Sequence, residues 1–256
     1  MLLRAFVITL VLLTGGAFVW VIAAGPDNSS SAQRSTSLNE KQAVRVEKRL
    51  AKEPGNEALQ IAAMKTWIEA GGERFEGLDF SSKPLSVPNS VVEDYEAGLR
   101  AWSAYLKQAD GEASKSNAES AALVYFQLAE IGSPDPDEAA ANVAEAVKAQ
   151  KIVCEHEATL FTLSDLAVYH YFNGEYAAGD RAAQGAAASA VKEGAAIKPQ
   201  GVIGQLNEYR ERGEKFVARV KRGFTTLEET GEEELETPIK AYGAPAGING
   251  YEPGTR

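Results

Sequence analysis

Cysteine, histidine and the usual catalytic signatures are what this sequence has least of. Cys154 is the single cysteine, so no intrachain disulfide can form. His156 and His170 are the only histidines, too few for a histidine-rich metal site. Cys154, Glu155 and His156 sit together in sequence, but adjacent helical residues point about 100° apart and do not converge on one ion. A buried structural thiol is the expected role of Cys154. The phosphate-binding G-x-x-x-x-G-K-[ST] and G-x-G-x-x-G patterns are missing, as are the G-x-S-x-G elbow and H-E-x-x-H. Cys154 and His156 lie at i and i+2, which face apart on a helix and make no nucleophile pair. No residue set therefore carries a reaction. The chain is expected not to be an enzyme, and no cofactor or metal is expected.

Basic charge is also short. The 26 Lys and Arg are outnumbered by 36 Asp and Glu, a net charge of −10. Such a chain repels phosphate backbones, which excludes a nucleic-acid role and leaves charge chiefly as an aid to solubility.

One long apolar run stands out. Residues 5–24, AFVITLVLLTGGAFVWVIAA, carry no charge. Twenty residues at about 1.5 Å rise span a hydrocarbon core. Arg4 and the α-amino group precede the run, which places the N-terminus in the cytoplasm and the rest of the chain outside. Residues 1–26 are thus expected to be a transmembrane helix or signal anchor. The alternative is a signal peptide cleaved after a small-residue site at Ala23 or Ala24, leaving a secreted or periplasmic protein. The Ser-rich residues 27–37 form a flexible tether. At the other end, residues 225–256 are acidic and then Gly/Pro-rich, the composition of a disordered tail.

Between these ends, residues 38–224 show helical spacing and no convincing strand alternation. Ser37–Glu40, Ser90–Glu93 and Ser116–Glu119 read as capping boxes, and Asp135-Pro136 as an N-cap followed by proline at the first helical position. Gly71-Gly72, Gly111, Gly132, Gly174 and Gly194 read as stops. The expected helices are 38–52, 57–70, 90–109, 117–131, 136–150, 156–173, 176–191 and 200–223: an all-α array of antiparallel hairpins.

The stretch 169–190, YHYFNGEYAAGDRAAQGAAASA, puts its bulk before Gly174 and its small residues after it. Gly179, Ala182, Ala183, Ala186, Ala187 and Ala190 let a second helix approach a first closely, with Leu163, Leu166 and His170 filling the space between. The pattern Leu163, Leu166, Ala167, His170, Gly174, Tyr176, Gly179, Ala183, Ala186 resembles a tetratricopeptide repeat. Pro54-x-Asn56 is similar to that family's junction between repeats, and Trp67 and Gly71 stand in the matching places of a first copy. Leu128 and Gly132 stand there in another. The spacings depart from the family's: the copies are unequal, and residues 73–89 are an insertion whose Phe75, Leu78, Phe80 and Leu85 need burial.

The resemblance implies a helical-hairpin solenoid of about three irregular repeats, with a leading half-repeat at 38–52 and a capping helix at 200–223, behind one transmembrane helix. It also implies a concave groove lined by the first helix of each hairpin. The groove-facing positions are Ile61, Lys65 and Ile68; Glu119, Ala122, Phe126 and Glu130; and Phe161, Ser164, Val168, Tyr171 and Phe172. Phe126, Tyr171 and Phe172 are the expected anchors. The implied function is a membrane-anchored, extracytoplasmic scaffold or assembly factor that binds a protein or peptide partner. In layout it is similar to bacterial membrane-anchored repeat proteins that assist cytochrome c maturation. A secreted solute-binding helical protein and an accessory subunit of a membrane enzyme are the alternatives.

Overall fold

The computed structural model describes residues 37–76, 87–109, 113–132 and 135–223. Every regular element among them is helical. Helix α1 is Leu38–Leu50, α2 Glu57–Glu76, α3 Asn89–Leu106, α4 Lys115–Gln127, α5 Pro136–His156, α6 Leu160–Phe172, α7 Tyr176–Lys192 and α8 Pro199–Arg222. One turn of π-helix, Leu128–Gly132, extends α4. No described helix is long and apolar enough to cross a membrane. The run at 5–24, residues 27–36 of the tether, the tail beyond Gly223, Gly111, and Leu78, Phe80 and Leu85 lie outside the described residues.

Local chemistry explains most helix starts. The Ser37 hydroxyl accepts from the Glu40 N–H, and the Asp135 carboxylate accepts from the Asp137 N–H with Pro136 at the first helical position. Three expected starts move. Ser114, rather than Ser116, caps α4 by accepting from the Asn117 N–H. Helix α3 begins after Pro88 with no side-chain cap, so Ser90 is already helical. Helix α6 begins at a reciprocal capping box, Thr159 with Thr162, because α5 runs on to His156.

Two expected stops are also corrected. The helix continues through Gly71-Gly72 to Glu76. Gly71 serves packing: a Cβ there would lie 2.6 Å from the Tyr95 ring. Helical backbone likewise continues through Gly132. Gly174 and Gly194 do end helices, with φ of 74° and 68°.

Consecutive helices pack in pairs, α2 with α3, α4 with α5 and α6 with α7; α1 packs on α2, and α8 packs on both α6 and α7. Close glycine contacts fix two of the pairs as antiparallel. Gly98 lies against Met64 and Ile68 while Gly71 lies against Tyr95. Gly179 lies against the Tyr171 ring while Gly185 lies against Leu163. The partner of the small α7 face is therefore Tyr171, set on Gly179, where His170 was expected to take part. His170 is buried and its Nδ1 lies 2.5 Å from the Glu175 carboxylate across the Gly174 turn.

The core is continuous from α2 to α8. Its centre is a row of aromatics: Phe126 stands 4.7 Å from Tyr169 and 4.9 Å from Phe172, and Phe172 stands 5.4 Å from Phe216 on α8. At the other end, Arg74 of α2 pairs with Glu40 of α1 and with Asp94 of α3. This ties the first three helices into one unit.

Candidate functional site

The structure separates the twelve expected groove residues. Ala122, Phe126, Ser164, Val168, Tyr171 and Phe172 are each at most 4 % exposed and belong to the interior. That corrects their assignment to a groove. The reason is α8. Gly213 of α8 crosses α6 so closely that a Cβ there would lie 2.7 Å from the Tyr171 carbonyl carbon and oxygen. Phe216 then closes over Phe172. Tyr171 is held further: its hydroxyl donates to the Asp180 carboxylate, which Arg210 of α8 also engages at 3.1 Å. Tyr171 and Phe172 are thus occupied in joining the last hairpin to α8, and Phe126 in joining α4 to α6.

Lys65 is exposed, and Ile61, Ile68, Glu119, Glu130 and Phe161 are half-buried. Glu119 is drawn to Lys115 at 3.6 Å. Beside this group lies Asp165, which the sequence reading passed over. Burial, and secondarily the charge of Glu119, pushes its carboxyl well above the usual range. Asp165 in turn helps to raise the hydroxyl of Tyr209 on α8, whose largest cause is burial.

Cys154 and His156 point to different partners. The Cys154 thiol donates to the Thr162 carbonyl at 3.3 Å, and burial raises it to about 11. A thiol so held is a poor nucleophile near neutral pH. His156 Nε2 lies 2.7 Å from the Ala113 carbonyl.

A different site emerges where the first hairpin meets the second. A cleft of about 600 Å³, open to solvent, lies between the α2/α3 pair and the α4/α5 pair. That volume falls in the ordinary range of binding pockets, roughly 300–1,000 Å³. Its apolar walls are Leu99, Ala104 and Leu128, the last at the start of the π turn. Its polar groups come from helix faces. Glu96, Arg100, Ser103 and Lys107 recur at three- and four-residue spacing along α3, so one face of α3 supplies both charges and a hydroxyl. The Ser103 hydroxyl pairs with the Tyr125 hydroxyl at 3.2 Å. Glu138 and Asn142 of α5 stand opposite.

Gln60 is the unusual member. It lines the cleft, is 1 % exposed, and donates from Nε2 to the Pro54 carbonyl at 2.7 Å. That bond fixes the amide orientation and leaves Oε1 buried without a hydrogen-bond partner. A buried amide oxygen without a donor costs about 1–3 kcal/mol, so it is retained against a price in stability. The sequence flagged Pro54 and Asn56 as a repeat junction but gave Gln60 no role. The signal available was a lone amide among Leu59, Ile61 and Ala63.

No family model matches the chain, and no curated protein or solved structure matches it significantly.

Proposed function

We propose that this chain is a tetratricopeptide-like binding module, held at the outer face of a membrane by residues 5–24, that takes a protein or peptide segment of a partner. Support for the repeat reading comes from the antiparallel helix pairs with Gly and Ala at their crossings, Gly174 as a left-handed stop, and α8 laid on the last pair as a cap. The observation that carries the binding function is the cleft between the first and second hairpins. It offers apolar walls beside donors and acceptors of both signs, and a buried acceptor in Gln60 Oε1. A polypeptide has the matching inventory: backbone N–H groups for Glu96 and Glu138, carbonyls for Arg100 and Lys107, and side chains for Leu99 and Leu128. The site differs from the groove the sequence implied, because the inner faces of α4 and α6 are closed by the aromatic row.

Site-specific photocrosslinking in intact cells tests this reading. A photoreactive amino acid is placed at Arg100, inside the cleft, or at the exposed Gln184 on α7 as a control. A discrete protein adduct at Arg100, absent at Gln184 and lost when Gln60→Leu is added, is the expected result. Identical adducts at both positions, or none at Arg100, would sink the proposal.

A further inference from the structure

Helix α1 carries a charge pattern unlike the rest of the molecule. Lys41, Arg45, Lys48 and Arg49 lie on it, and Lys52 follows in the turn that continues it. At about 3.6 residues per turn the five fall within an arc of about 100°. All five side chains are exposed. The opposite arc holds Ala43, Val46 and Leu50, which are buried or packed against the core. Glu40 and Glu47 fall outside the cationic arc, and Glu40 is engaged by Arg74. None of the five cations forms an ion pair with another described residue, a property shared with scattered lysines such as Lys151 and Lys192 but gathered here on one arc.

A second observation falls in the same arc. Leu38 opens α1 and is 70 % exposed. It is one of two large apolar side chains so placed among the described residues, the other being Val191 on α7. Helical geometry sets Leu38 between Lys41 and Arg49 on the arc. An apolar side chain at the head of a cationic helix face matches a bilayer interface, where cations meet headgroups and the apolar tip reaches the acyl boundary. Position in the chain agrees: α1 begins after the 13-residue segment 25–37 that follows the apolar run. If residues 25–37 act as the tether their composition implies, their root-mean-square span is roughly 20 Å, which holds α1 near the membrane at high effective concentration.

We infer that the Leu38–Lys52 face is a docking surface for anionic lipid headgroups, and that α1 lies on the bilayer surface beside the anchor. The inference takes the anchor at residues 5–24 from the reading above. It fixes how the module is presented: the cationic face of α1 meets the lipid, and α2 packs behind it.

The test uses the full chain in nanodiscs. A fluorophore is attached at Leu38→Cys in a Cys154→Ser background, with helicity checked by circular dichroism. The discs are either pure phosphatidylcholine or roughly one-third phosphatidylglycerol, and both contain a nitroxide lipid quencher. Incorporation is scored separately, as protein that stays with the discs through an alkaline wash. Quenching is expected to be stronger in the anionic discs, to fall at about 0.5 M salt, and to disappear in K41E/R45E/K48E/R49E. Each cation near an anionic surface is worth about a factor of five, so this variant is expected to lower the docked-to-undocked ratio more than a hundredfold. The same charge change at exposed sites elsewhere, K151E/K192E/K198E/K215E, leaves quenching within about twofold of the parent. Equal quenching of incorporated protein in the two lipid mixtures overturns this inference alone; failure to incorporate overturns the anchor reading with it. Carbodiimide crosslinks joining Lys41 or Lys48 to Glu233 or Glu234, with no lipid dependence, also overturn it and assign the stripe to the chain's own acidic tail.

Discussion

Replacing Gly213 by Ala puts the packing of α8 to a direct test. In an exposed helical interior this change favours the folded state by about 1 kcal/mol, because Ala is the better helix former. At Gly213 the new methyl would lie 2.7 Å from the Tyr171 carbonyl carbon and oxygen and 3.0 Å from the Phe172 nitrogen. Those are backbone atoms of the last turn of α6, where the Tyr171 carbonyl accepts from the Gly174 N–H, so they do not swing aside as a side chain would. Helices α6 and α8 must separate by roughly an ångström, and a gap of that size forfeits a quarter to a half of each dispersion contact across it. Val202, Leu206 and Phe216, at 0 %, 2 % and 5 % exposure, are the side chains that lose contact. Each contributes about 1.5–3 kcal/mol when buried. Losing about a third of that from three residues costs roughly 1.5–3 kcal/mol, and the propensity gain leaves a net loss of about 0.5–2 kcal/mol. Gly204 lies nine residues earlier on the same helix, is exposed, and has nothing within 4 Å of a built Cβ. Gly204→Ala is expected to stabilise by up to about 1 kcal/mol. Urea unfolding of the full chain in mild detergent, followed by far-ultraviolet circular dichroism, measures both. Opposite signs are the expected result. A Gly213→Ala chain as stable as the parent would refute the account of α8 as a tightly seated cap.

Two further outcomes follow from buried acids and thiols. Burial raises the Asp94 carboxyl to about 6, against the pull of Arg74. Its folded value exceeds its unfolded one, so its contribution to stability is fully present below about pH 4 and is lost as pH rises through 6. The stability difference between the parent and Asp94→Asn is therefore expected to shift in the parent's favour by about 1–3 kcal/mol between pH 7 and pH 4; a flat difference would contradict it. Cys154, raised to about 11 by burial, is expected to react with iodoacetamide at pH 7.5 at least ~10-fold more slowly than a free cysteine, and at the free rate only in denaturant. Rapid alkylation of the folded chain would show that the Thr162 contact is not maintained.

The helices were readable because their signals are local. Ser37, Asp135 and Gly174 act on their own neighbours in the chain, and each does what its residue type dictates. Gly71 misled because its role is set by Tyr95, 24 positions away. A glycine that ends a helix and one that admits a ring look alike until the partner is known. The site was harder for the same reason. Periodicity separates the faces of a helix, but not which inner face a later helix will cover. Phe126, Tyr171 and Phe172 have the spacing of groove anchors, and partners distant in sequence make them core: α6 for Phe126, Gly179 for Tyr171 and Phe216 for Phe172. The cleft left still less trace, since its walls come from helices α2 to α5 and its distinctive atom is one amide oxygen, Gln60 Oε1.

The tie that Arg74 makes between Glu40 and Asp94 has a consequence for how the molecule comes apart. It gathers α1, α2 and α3 into one block, and this block meets α4, α5 and the π turn at a junction across the cleft. In a linear array each interface sets how far unfolding in one unit is transmitted to the next. The first block is thus a unit that can be released as a whole while α4 to α8 stay folded. The cleft lies across that junction, so any segment bound there would fasten the two blocks together, and occupancy would register as a sharper, more unified melting transition.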